Sequence, residues 1–79
     1  MRLPNKLYSY EKSILSKFPI VLRTLQKADH SVSDLYLAVK ADVSDAGEFI
    51  EILDCLYALG AMEFDDEKEV LRYVVRTHE

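Results

Sequence analysis

Cysteine is nearly absent from the sequence, with Cys55 alone. That excludes an intramolecular disulfide and a cysteine-based zinc site, and it fits a reducing compartment, so a cytoplasmic location is expected. Tryptophan is missing, and only two glycines and two prolines punctuate the chain. No Gly/Ser linker, low-complexity tract or internal repeat interrupts it, so closely packed elements are expected. Long apolar runs are lacking as well. Met1-Arg2-Leu3-Pro4-Asn5-Lys6 leads into polar sequence, with nothing that reads as a signal peptide or membrane span, which predicts a soluble protein. What remains is a chain of 79 residues, 49% apolar and 30% charged, which reads as one domain over 1–79. Chains of this size bury only about 60–65% of their unfolded surface, so a partner or a self-dimer would add stability.

The net charge of −4 conceals an asymmetry. Residues 1–40 carry seven Lys/Arg against three acids, and residues 41–79 carry three against eleven. A basic first half and a strongly acidic second half suit docking in one orientation, although two solvated faces would give the same count.

Residues 1–8 read as an extended leader. Ser9 or Ser13 then caps a first helix, whose apolar positions Ile14, Leu15, Phe18, Leu22 and Leu25 recur at helical spacing. Pro19 removes a backbone donor inside that stretch. The helix is therefore kinked there or begins close to it, and a kink is the favoured reading. Lys27 to His30 form a connection, Ser31-Val32 read as a very short strand, and Ser33 caps a short second helix burying Leu35, Ala38 and Val39. Asp45 and Glu48 have capping-box spacing at the start of a third helix. From there Phe49, Ile52, Leu53, Leu56 and Tyr57 form its apolar stripe, and Gly60 ends it. Beyond Gly60 the period becomes two: Met62 and Phe64 flank Glu63, Asp65 to Glu69 form a polar tip, and Val70 to Val75 make a second strand. Three helices with a C-terminal β-hairpin wing define an α+β, mainly α fold, a winged helix-turn-helix.

Winged helices usually bind DNA through the third helix and the wing. Here the outward side of that helix carries Glu51, Asp54 and Ala58, and the wing tip holds four acids and one base. Such surfaces repel phosphate. The basic first half keeps an alternative open, a DNA-binding transcriptional regulator using Lys12, Lys17 and Arg23. No glycine-rich phosphate loop, nucleophile with a base, or HExxH-type site is present, so no enzyme, metal or cofactor is expected. His30 and His78 lack a second ligand at helical spacing, and the acids at the hairpin tip lack the pattern of a calcium loop. Cys55 reads as a semi-buried packing residue. The surplus apolar residues are more informative, since Tyr8, Tyr10, Tyr36, Leu37, Ile50 and Val74 lie off or at the edges of the core stripes and suit a protein interface.

At Leu3-Pro4-Asn5-Lys6, at Glu11-Lys12-Ser13-Ile14-Leu15 and at Leu56-Tyr57-Ala58-Leu59-Gly60, the sequence resembles the small middle components of bacterial ABC-three-component systems, in particular middle component 6. The resemblance implies a bacterial conflict system in which an SMC/Rad50-like ABC ATPase acts with a larger third component. The middle protein would then be a non-catalytic adaptor, and dimerisation is common among comparable winged-helix subunits. On that reading the interface residues are Leu3, Pro4, Tyr8, Tyr10, Tyr36, Ile50, Glu51, Asp54 and Ala58.

Overall fold

The computed structural model describes residues 12–75. The leader over residues 1–8, with Leu3, Pro4 and Tyr8, lies outside the described residues, as do Ser9, Tyr10, Glu11 and His78. Residues 12–16 are helical (α1), followed by α2 (Phe18–Lys27), α3 (Val32–Val39), a 3-10 turn (Lys40–Asp42), α4 (Ala46–Ala58), β1 (Met62–Asp65) and β2 (Val70–Tyr73). The strands pair antiparallel, with Met62 opposite Tyr73 and Asp65 opposite Val70. The fold is the expected mainly-α winged helix, with the hairpin as its wing.

The expected first helix is two helices. Lys17 breaks it: its amide reaches back only to the Ile14 carbonyl, at 3.1 Å, and it then caps α2, where Pro19 occupies the first turn. Proline is tolerated there because first-turn amides have no intrahelical acceptor. Ile14, Val21 and Leu25, at i, i+7 and i+11, take the core positions, while Leu15, about 100° round the helix from Ile14, is 61% exposed. Phe18 and Leu22 are half-buried beside them.

The expected strand at Ser31-Val32 is also replaced. A single antiparallel bridge joins His30 to Leu71, and Ser31, not Ser33, caps α3 by accepting the Asp34 amide at 3.1 Å. Leu35 and Val39 are buried as expected, whereas Ala38 is exposed. α2 packs on α3 and on β2, while α4 packs on β1. The core is closed by Phe49, Ile52, Leu53 and Leu56 from α4 together with Met62 and Leu71 from the wing.

α4 begins and ends as its sequence dictates. Asp45 accepts the Glu48 amide at 2.8 Å, and Gly60 takes φ 76°, the left-handed conformation that favours glycine. At the wing tip Asp65 Oδ1 accepts the amides of Glu67 and Lys68, and Glu69 closes the turn at φ 57°.

Candidate protein-interaction surface

Two ionic clusters hold the elements that frame the surface. The first centres on Glu48, only 4% exposed. Its Oε1 accepts the Ser44 amide at 2.8 Å and the Lys17 ammonium at 3.2 Å, and its Oε2 accepts the Ser13 hydroxyl at 2.9 Å. The reach-back of the capping box thus lands on Ser44, one residue before the cap, and the same carboxylate ties α1 and the α1–α2 junction to the start of α4. The Ser44 amide, then the Ser13 and Lys17 bonds, hold this carboxyl below its ordinary value against the opposing effect of burial.

The second cluster centres on Arg72 in β2. Its guanidinium donates to Asp65 at 2.6 Å, to Glu63 at 3.2 Å and to Asp29 at 3.4 Å. Asp65 and Glu63 lie on the facing strand and Asp29 in the α2–α3 connection, so one side chain fastens the wing to the helical layer. The Asp65 carboxyl is lowered, chiefly by Arg72 and next by the Lys68 amide, and the Arg72 guanidinium is raised in return. Arg72→Ala should leave the three carboxylates facing one another without a counterion. Faster amide exchange across residues 62–73 than in α4 is the expected result, and an unchanged exchange profile would remove Arg72 from this role.

The surface itself is the outward side of α4. Ile50, Glu51, Asp54 and Ala58 are all exposed, as their helical spacing requires. Tyr57, which the apolar stripe would place in the core, is 62% exposed instead. The buried arc is filled by Phe49, Ile52, Leu53 and Leu56, with Glu48 at its edge, and Tyr57 falls beyond it. Ile50, Asp54 and Tyr57 therefore line up at i, i+4 and i+7, and Gly47, Glu51 and Ala58 border them. Neither Glu51 nor Asp54 has an ion pair among the described residues, in contrast to the acids around Arg72.

Tyr36 lies elsewhere. It is half-buried, its ring meeting Phe49 at 60° with centroids 5.1 Å apart, an edge-on arrangement that anchors α3 to α4. Leu37 on α3 is exposed. Of the cations in the alternative reading, Lys17 is engaged by Glu48, while Lys12 and Arg23 are exposed.

The family model for the ABC-three component (ABC-3C) system Middle Component 7 matches residues 3–71. The chain belongs to this family. Middle component 7 is a sibling of middle component 6, whose motifs the leader and helices resemble. No curated protein and no solved structure matches this middle component. Among its described residues no helix is long and apolar enough to cross a membrane, and no group of three His, Cys, Asp or Glu side chains is placed to hold a metal ion. His30 sets Nδ1 2.8 Å from the Ala28 carbonyl oxygen, and its backbone is bonded to Leu71, so its position has a structural cause.

Proposed function

We propose that this middle component is a non-catalytic adaptor. Acting as one winged-helix unit over residues 1–79, with residues 1–8 as an extended leader, it bridges an SMC/Rad50-like ABC ATPase and a larger third component of a bacterial defence system. The contacts are made by the outward side of α4, the wing and the leader. The observation that carries this reading is the character of α4: where a DNA-reading helix would present lysine and arginine, it presents Ile50 and Tyr57 beside Glu51 and Asp54, which have no ion pair among the described residues. Membership of the family supplies the setting.

The alternative regulator would use Lys12, Lys17 and Arg23, and it loses strength because the Lys17 charge is already engaged by Glu48 at 3.2 Å. The test is affinity purification of the tagged protein from its native host, with nuclease present, and identification of co-eluting chains by mass spectrometry. A coiled-coil ATPase and a second protein in fixed ratio are expected. Elution alone, with nucleic acid retained when nuclease is omitted, would favour the regulator.

A further inference from the structure

We infer that the outward side of α4 receives an amphipathic helix of a partner subunit whose apolar stripe is interrupted and flanked by lysine or arginine. This rests on the adaptor reading and gives the partner segment a chemistry. Ile50 is 49% and Tyr57 62% exposed, about two helical turns apart, so both can enter gaps between the side chains of a facing helix. Asp54 stands between them at the centre of the stripe, with Glu51 at its border.

An uncharged apolar helix would bury Asp54 without a counterion, and an acidic one would add repulsion. A cation placed between two apolar contacts removes both penalties. Elsewhere the described acids near the fold's joints are already matched: Glu48 by Lys17, and Asp29, Glu63 and Asp65 by Arg72. Glu51 and Asp54 have no ion pair among the described residues, as is true of the exposed Asp34, Asp42, Asp66, Glu67 and Glu69, but they are the ones that lie beside the exposed apolar side chains of α4. Gly47 and Ala58 at the border add little bulk, which lets a second helix axis come close.

The test uses the whole protein co-expressed with the other components encoded alongside it. The purified complex is treated with a carbodiimide, which couples carboxylates to amines in direct contact, and the linked peptides are sequenced. Links from Glu51 or Asp54 to lysines of a partner helix with neighbouring apolar residues are expected. Ile50→Ala, Tyr57→Ala and Asp54→Lys should each weaken assembly by about tenfold or more. They should leave the melting temperature of the isolated chain nearly unchanged, because all three sites are exposed.

If the complex forms while the three variants assemble normally, the inference is overturned and the adaptor reading stands. It is overturned equally if the two carboxylates link only to a second copy of this chain, or if the segment lying on α4 is acidic. If no complex forms with any component, the adaptor reading itself fails.

Discussion

Phe49→Ala should lower the stability of the protein by about 3–5 kcal/mol, the range for deleting a buried aromatic ring. Phe49 is 2% exposed in the core cluster, and its ring meets the Tyr36 ring edge-on. Truncation therefore opens a cavity between α3 and α4 and removes the ring contact, worth about 0.5–1.5 kcal/mol of that total. At roughly 0.05–0.15 kcal/mol per residue, the stability of a chain this small is of the same order as the loss. Thermal unfolding followed by circular dichroism should show the midpoint falling by at least about 12 °C, or no cooperative transition. Phe49→Leu, which refills most of the volume, should lose much less. A Phe49→Ala variant within about 1 kcal/mol of the parent would show that the core is centred elsewhere.

Glu48→Ala is the second large effect, about 2–3 kcal/mol, because it removes the acceptor for the Ser44 amide, the Ser13 hydroxyl and the Lys17 ammonium together. It also carries a pH signature. The folded state holds the carboxyl below its ordinary value of 4.5, so the stability it contributes is fully present above that value. That stability is lost as pH falls through the lower, folded value. Asp65, lowered by Arg72, acts in the same direction. Glu48→Gln keeps the acceptor oxygen and gives up the charge, so it should be destabilised at neutral pH yet lose less on acidification than the parent. Urea unfolding midpoints across the acid range would decide this, and parallel acid limbs for the two proteins would contradict it.

The parts of the fold set by short-range chemistry were legible in the sequence. The Asp45 cap, the Gly60 terminus, the buried stripe from Phe49 to Leu56 and the change from helix to strand beyond Gly60 all depend on residues within a few positions of one another, although Phe64, which alternates with Glu63 in the sequence, is 44% exposed and does not share the burial of Met62. The misplacements occur where a distant partner or the edge of an apolar stripe decides. Leu15 lies about 100° round from Ile14, at the edge of the stripe that Ile14, Val21 and Leu25 fill at i, i+7 and i+11, and it is left exposed. Ser31 caps α3 in place of Ser33 because the backbone of His30 is held by Leu71, far along the chain.

Spacing placed Glu48 at the cap of α4, but its burial comes from Ser13 and Lys17, more than thirty residues earlier. On the candidate surface, Ile50, Glu51, Asp54 and Ala58 followed from helical spacing alone. Tyr57 did not, since an aromatic residue next to a filled apolar arc reads as part of it. Counting the arc already occupied by Phe49, Ile52, Leu53 and Leu56 is the signal that would have placed it outside.

The anchoring of the wing bears on recognition. A hairpin held only at its base would sample many directions, and a protein gripping both it and α4 would have to freeze that motion. Here the His30–Leu71 bridge and the Arg72 cluster clamp the hairpin to the connection between α2 and α3. The span from the tip at Asp66 to the crest at Asp54 is thus set before any encounter. On the proposed adaptor reading the molecule would act as a gauge: a surface whose two contact points match that span could engage both at little entropic cost, and one whose points are spaced differently could engage only one.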